Sequence, residues 1–301
     1  MMICTIWGLH FPVMRTAISG AGIPPLFYAA TRMSIVAVIM SPFLKWHSGQ
    51  MRFVAVAGLG FGALNYALMF PAMGLTTASA GAVAIELYMP FSILLGVLIL
   101  GERIKAWSML GIVLAFAGVV IIGLSKPGGD MGPYFALGVI MIAGAALSEA
   151  CGAIAVKTLK EISPAQLVAW FAVIGSVILW PLTGWLEQDQ LKVFAPQTRS
   201  GFFGALFYSA ILTSIVAHGS YYWLLGRLPI QVIAPIGLMT TVIGVISGIL
   251  ILGETPTVSL FIGMTITLSG IAIILWRRRV NTPQPRKIPP VEPYAANADV
   301  Q

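Results

Sequence analysis

The chain has 301 residues, of which 58% are hydrophobic and only 9% are charged, and its formal net charge is +7. A soluble globular protein carries roughly a quarter charged residues, so this composition excludes a soluble protein and indicates one that lies in a lipid bilayer. The basic residues lie at the ends of apolar segments and in the tail, without interleaved aromatics, so nucleic acid is not indicated as a partner.

Long apolar runs indicate membrane-spanning helices, because about twenty residues of helix cross the hydrocarbon core and each helix satisfies its own backbone hydrogen bonds. The sequence therefore predicts an all-α integral membrane protein with ten transmembrane helices. The predicted spans are 2–18, 25–44, 53–74, 78–100, 106–124, 133–157, 164–186, 200–224, 230–252 and 257–276.

One segment occurs twice in the chain: LGERIKAWSMLGIVLAFAGVVII begins at Leu100 and LGETPTVSLFIGMTITLSGIAII begins at Leu252. This duplication divides the spans into two halves, 1–124 and 133–276, joined by a short turn-rich linker. Because each half has five spans, an odd number, the second half must enter the membrane from the opposite side. The repeat is therefore predicted to be inverted, as in many secondary transporters.

The ends of the chain are predicted to be cytoplasmic, because most Lys and Arg residues then lie on the inner side of the membrane. Residues 277–301 begin with three arginines and become rich in proline, so they are interpreted as a disordered cytoplasmic tail. The two cysteines lie inside apolar runs, which indicates neither a disulfide framework nor a thiolate metal site.

Arg32, Glu86 and Glu149 are charged residues within predicted spans. Such residues persist in membranes where they face a cavity or a partner. Arg32 and Glu86 lie at similar depths from the outer ends of their spans, so they are expected to form an ion pair or to bind substrate. The alternative is a structural salt bridge that fixes helix register.

Glu149 lies in the inner half of its predicted span, and no basic residue is predicted at the same depth in the membrane. Burial in lipid favours the neutral form of a carboxyl group, which suits a residue that exchanges a proton during transport. The alternative is a neutral carboxyl hydrogen-bonded to a serine such as Ser148, or to a backbone carbonyl.

Polar and aromatic residues at mid-depth in other spans could complete a pocket: Trp7, His10, Asn65 and Tyr66. Pro90 follows Glu86 by one turn, and it frees a backbone carbonyl that could bind substrate or permit bending. The cluster of Tyr221, Tyr222 and Trp223 is instead typical of an interfacial aromatic belt. Glu102 and Glu254 are expected to neutralise helix amino termini.

The pattern resembles the drug/metabolite transporter superfamily, specifically its EamA-domain branch. The resemblance covers about residues 3–276 and depends on Trp7-Gly8 with Phe11-Pro12, on Arg32, on Pro90 with LLGVLILGERI, and on the second LILGE. It implies a carrier of the inner or plasma membrane, often an exporter of amino acids, other small metabolites or drugs. His10 differs from the expected Asn, and Glu86 is more acidic than is usual there.

The sequence thus predicts a secondary transporter, an exporter of a small organic solute coupled to protons, with no cofactor and no enzymatic activity. It contains neither an ATP-binding GxxxxGK[ST] loop nor a HExxH or GxSxG motif. The alternative is a non-transporting membrane sensor or assembly protein that uses the same fold. The sequence does not indicate an oligomeric state.

Overall fold

The computed structural model describes residues 1–125, 132–225 and 235–281, and these residues are organised almost entirely as helices. The helix α1 comprises Met2–Arg15 and continues through a π-helical turn, Thr16–Gly20. The following helices are α2 Pro25–Phe43, α3 Met51–Leu75, α4 Ala78–Leu100, α5 Ala106–Gly123, α6 Phe135–Thr158, α7 Pro164–Leu186, α8 Pro196–Tyr221, α9 Pro235–Leu252 and α10 Val258–Asn281.

Nine helices of the described residues, α2 to α10, are long and apolar enough to cross a membrane. The predicted first span forms a helix but is not among these nine. His10 and Arg15, together with glycines and hydroxyl residues, make it more polar than the others. The protein is an all-helical, multi-pass membrane protein.

Several predicted boundaries differ from the structure. Helix α8 begins at Pro196, before predicted residue 200, and α10 continues to Asn281 through the arginines assigned to the tail. Pro235 opens the described part of α9, so the predicted start at residue 230 lies outside the described residues. Most of the predicted linker, 126–131, and the tail from residue 282 also lie outside them.

The two duplicated helices, α5 and α10, pack against each other through their matching glycines. A Cβ atom on Gly111 would lie 2.6 Å from the carbonyl oxygen of Gly270, and one on Gly263 would lie 2.6 Å from that of Gly118. Small residues allow membrane helices to approach this closely. Because an early glycine of each helix meets a late glycine of the other, α5 and α10 run antiparallel.

Helices α2 and α7 also form an antiparallel pair between the two halves. Ser34 and Ser176 hydrogen-bond near the middle of the pair, with 2.8 Å between their Oγ atoms. At one end, the carboxylate of Glu187 accepts hydrogen bonds from the backbone N–H groups of Leu26 at 2.7 Å and Phe27 at 2.8 Å. These N–H groups have no intrahelical partner, so Glu187 caps the amino terminus of α2.

The glycine of each Gly-Glu turn adopts the left-handed conformation at the end of a helix. Gly101 has φ of 68° and Gly253 has φ of 65°, a conformation that glycine adopts without steric cost. In both turns the next N–H closes the helix, from Glu102 to Gly96 at 3.1 Å and from Glu254 to Gly248 at 3.3 Å. The repeated LGE motif is therefore a repeated helix stop.

The two glutamates of these turns have different partners among the described residues. Glu254 caps α4 of the opposite half, accepting from the N–H of Ala78 at 2.5 Å and from the N–H and Oγ of Ser79 at 3.0 and 2.5 Å. Glu102 forms an ion pair of 3.1 Å with the partly exposed Lys157. The predicted capping role is confirmed for Glu254, although it caps a different helix from the one that follows it.

Candidate functional site

Arg32 lies in the interior of the protein, where helices of both halves meet. Its side chain is only 1% exposed. Its Nε and Nη2 atoms donate hydrogen bonds to Ser214 Oγ of α8, at 3.1 and 2.9 Å, and Nη1 lies 3.3 Å from His10 Nε2 of α1. The guanidinium therefore connects α1 and α2 of the first half to α8 of the second.

The face of the guanidinium lies over aromatic rings of α3. The Arg32 Cζ atom is 4.7 Å from the ring centroid of Tyr66 and 5.8 Å from that of Phe70, so both rings interact with the cation through their π faces. The structure thus brings together Arg32, His10 and Tyr66, which the sequence analysis placed in one pocket.

The expected ion pair between Arg32 and Glu86 is wrong. Within the described parts of the chain, no carboxylate oxygen lies within 4 Å of the Arg32 guanidinium. Glu86 instead accepts a hydrogen bond of 2.6 Å from Thr241 Oγ1 of α9. The two residues were matched by depth in the membrane, but depth along a helix does not determine which neighbour a side chain faces.

Helix α8 presents its hydroxyl groups to Arg32 through a π-helical segment, Tyr208–Ala217. Ser214 Oγ donates to the carbonyl of Ser209, five residues earlier, at 3.1 Å. Ser209 Oγ lies 3.0 Å from His10 Nε2 and also contacts the Tyr28 hydroxyl. Wide turns of this kind occur frequently at functional sites.

Sequence reasoning missed Ser209, Thr213 and Ser214. The available signal was three hydroxyl residues within a short stretch of an otherwise apolar span. Their importance depends on the neighbouring helix that places Arg32 beside them, and this arrangement is not visible in the sequence.

An aromatic cluster lies next to the Arg32 site. The Trp7 ring is 4.9 Å from the His218 ring and 5.1 Å from the Tyr221 ring. His218 Nδ1 donates to the carbonyl of Thr213 at 2.6 Å, since a carbonyl can only accept. Tyr221 therefore packs on α1 as part of this cluster, whereas Trp223 is 57% exposed. The side chain of Tyr222 lies outside the described residues.

Glu149 hydrogen-bonds to an amide rather than to the serine considered from sequence. Asn65 Nδ2 donates to Glu149 Oε2 at 3.3 Å and to the carbonyl of Ala145 at 3.1 Å. The Ser148 hydroxyl instead donates to the carbonyl of Gly60 at 3.0 Å. Asn65 begins the second α-helical part of α3, directly after a π-helical segment, Leu59–Leu64.

Glu86 lies at a break in α4. A 3-10 turn, Ile85–Leu87, interrupts the helix, and Pro90 has no N–H group to bond the Glu86 carbonyl four residues earlier. The adjacent turn of α9 has a glycine, Gly237, at which a Cβ atom would lie 3.6 Å from both carboxylate oxygens. Glu86 therefore lies at the contact between α4 and α9.

The site has a cationic part around Arg32 and an acidic part formed by Glu149 and Glu86. Two consecutive residues of α3 connect the parts, since Asn65 bonds Glu149 while the Tyr66 ring lies beside Arg32. Among the described residues, no three His, Cys, Asp or Glu side chains come together as a metal site requires. This arrangement can bind an organic solute that carries charged and hydrogen-bonding groups.

Comparison with known proteins identifies the family. A profile of the EamA-like transporter family matches residues 1–124 and 136–276, which together make up most of the chain. The chain belongs to the EamA-like transporter family. This EamA-like protein is therefore a membrane transporter.

Two relatives are described as efflux pumps. The EamA-like chain is 28% identical over 290 residues to a "Probable amino-acid metabolite efflux pump" of Escherichia coli, covering 93% of this chain and 96% of that protein. It is 26% identical over 292 residues to a protein of the same description from Salmonella typhimurium, covering 93% and 94%.

A solved structure has the same fold. One crystal structure of a protein with 18% sequence identity superposes with a TM-score of 0.58, covering 93% of this EamA-like chain and 99% of that protein. At this identity the likeness establishes the fold alone.

Proposed function

We propose that this EamA-like protein exports a small carboxylate-bearing solute, such as an amino acid or a related metabolite, across the plasma membrane. The observation that carries the proposal is the buried Arg32 guanidinium at the contact between the halves, with no carboxylate within 4 Å among the described residues. The description of the bacterial relatives as amino-acid metabolite efflux pumps supports the same solute class.

The Arg32 site is suited to an anion for an electrostatic reason. A buried guanidinium loses the hydration of its charge, and neutral hydroxyl groups compensate for this loss less well than a carboxylate does. Ser214 accepts from Nε and Nη2, and Nη1 lies 3.3 Å from His10 Nε2, so these two partners of the guanidinium are uncharged hydroxyl and imidazole groups. A solute carboxylate would supply the missing negative charge through a charge-assisted hydrogen bond.

The proposed transport cycle uses two inverted halves, 1–124 and 133–276, with α1 as the tenth span and both ends of the chain in the cytoplasm. The antiparallel pairs α5 with α10 and α2 with α7 support the inversion. Rocking of such halves around a central site would expose Arg32 alternately to the two sides of the membrane.

We propose that Glu149 exchanges the coupling proton and that Glu86 lines the same pathway. Each carboxyl group accepts a hydrogen bond from a neutral side chain: Glu149 accepts from Asn65, and Glu86 accepts from Thr241. Replacing Glu149 by Gln retains hydrogen bonding but removes the exchangeable proton. The variant is expected to transport solute without dependence on a pH gradient, and retained coupling would contradict this role.

The test is net flux in proteoliposomes. Labelled amino acids are compared with the amines that lack their carboxylate, with and without an imposed pH gradient. The wild-type protein is expected to transport the carboxylates, and Arg32→Ala is expected to abolish this transport. Arg52→Ala is the matched control, because Arg52 is an exposed arginine that packs on the neighbouring ring of Phe53.

The outcomes separate the competing functions. Transport of amines and amino acids at equal rates, or full activity in Arg32→Ala, would contradict the proposed anion site. Binding of a solute without net flux would favour a sensor or assembly protein with this fold, and appearance of a chemically altered product would indicate an enzyme.

A further inference from the structure

Two buried hydrogen-bonding groups without partners lie beside the Arg32 site. Thr213 is only 3% exposed, and its Oγ1 atom has no hydrogen-bond partner among the described residues. The indole Nε1 of Trp7 is also buried, and it too has no partner within the part of the chain that the structure describes. Buried polar groups in proteins nearly always have a partner, so this pair needs an explanation.

Both groups flank the same histidine. The Trp7 ring packs against the His218 ring at 4.9 Å, and His218 Nδ1 donates to the backbone carbonyl of Thr213 at 2.6 Å. Thr213 directly precedes Ser214, whose hydroxyl accepts from the Arg32 guanidinium at 2.9 and 3.1 Å. The unpartnered groups therefore lie at the contact between α1 and α8, which the Arg32 guanidinium of α2 also touches.

The Thr213 hydroxyl does not use the local acceptor that a helical threonine commonly uses. A threonine in a helix commonly donates to the carbonyl four residues earlier, which for Thr213 is that of Ser209. This carbonyl already accepts from Ser214 Oγ at 3.1 Å. In this wide turn the side-chain hydrogen bond to the Ser209 carbonyl comes from the serine that holds Arg32, and the Thr213 hydroxyl makes none among the described residues.

We propose that Thr213 Oγ1 and Trp7 Nε1 form a second subsite, which binds a hydrogen-bond acceptor of the solute while Arg32 binds its carboxylate. An indole N–H can only donate and a hydroxyl can donate, so this subsite selects a carbonyl or hydroxyl oxygen and not an ammonium group. The preferred solutes are therefore carboxylates that carry a second oxygen acceptor. This inference rests on the proposed function.

The experiment measures uptake of glutamine and norleucine by wild-type protein and variants in proteoliposomes. Norleucine has a side chain of similar length without the amide oxygen. The wild-type protein is expected to prefer glutamine. Thr213→Val, which removes the hydroxyl and keeps the shape, is expected to lower glutamine uptake between about twofold and tenfold and leave norleucine uptake unchanged.

Thr76→Val is the matched control. Thr76 is also a buried threonine, 0% exposed, with an unpartnered Oγ1, but it lies in the turn between α3 and α4. Its replacement is expected to alter neither uptake. Thr213→Ser, which retains the hydroxyl, is expected to restore the preference, and Trp7→Phe is expected to reduce it.

The outcomes also separate this inference from the proposed function. If Thr213→Val reduced glutamine uptake and norleucine uptake equally, Thr213 would have a structural role and the subsite would be overturned. The subsite would also be overturned if the wild-type protein preferred norleucine or transported neither solute. The Arg32→Ala comparison with other carboxylates would still test the anion site independently. A thermal unfolding midpoint of Thr213→Val at or above the wild-type value is expected, because the variant no longer buries an unpaired hydroxyl.

Discussion

Replacing Glu254 by Gln is expected to destabilise the protein strongly, because one carboxylate joins the two halves. It accepts three hydrogen bonds from Ala78 and Ser79 at the amino terminus of α4. Hydrogen bonds to a charged group contribute about 1.5 to 3 kcal/mol each, and a negative charge at a helix amino terminus contributes roughly 0.3 to 2 kcal/mol. The glutamine amide can still accept through its oxygen, so we expect a net loss of about 2 to 4 kcal/mol.

The assay is thermal unfolding in detergent, in which each kcal/mol lowers the midpoint by roughly 2 to 4 °C. Glu102→Gln is the control at the corresponding position of the first half. Its carboxylate pairs with Lys157, and the two side chains are 40% and 50% exposed, so we expect a loss of about 0 to 1 kcal/mol. If Glu102→Gln lowered the midpoint as much as Glu254→Gln, the assignment of Glu254 as the cap of α4 would be refuted.

Three further predictions concern packing, capping and topology. Gly111→Ala is expected to lower the free energy of unfolding by about 1 to 3 kcal/mol, because the new Cβ forces α5 away from α10. Gly204→Ala is the control in the same unfolding assay and is expected to be neutral or stabilising, because no atom lies within 4 Å of its new Cβ. Glu187→Gln is expected to lower the unfolding midpoint by weakening the cap of α2, and an unchanged midpoint would contradict that role. Single cysteines replacing Lys160 and Lys192 are expected to react with impermeant thiol reagents from opposite sides of the membrane, and labelling from one side would contradict the proposed topology.

The helical architecture could be predicted from sequence because its signals are local. Long apolar runs predict the helices. The two Gly-Glu turns are also predictable, because a glycine with positive φ ends a helix without any distant partner. The boundaries at Pro196 and Asn281 were less predictable, because polar residues near the membrane surface can extend a helix beyond its apolar part.

The candidate site was only partly predictable because it depends on which helices are neighbours. Burial of Arg32 follows from its position in an apolar run, but its contact with Ser214 requires that α2 and α8 pack together. A match in depth suggested Glu86 as the partner of Arg32, whereas the face of α4 that carries Glu86 meets Thr241 of α9. A wide turn such as that of α8 has no recognisable residue pattern, so the grouping of Ser209 with Ser214 could not be foreseen.

The contact between α5 and α10 also gives a physical reason for the sequence similarity between the two repeated segments. Gly111 and Gly118 face the backbone of Gly270 and Gly263, so each glycine is constrained by the counterpart of the other one, since Gly263 corresponds to Gly111 and Gly270 to Gly118. A larger residue at any of the four positions meets backbone, which has no alternative rotamer to adopt. Close packing of these two helices therefore requires the same glycine spacing in both copies of the segment.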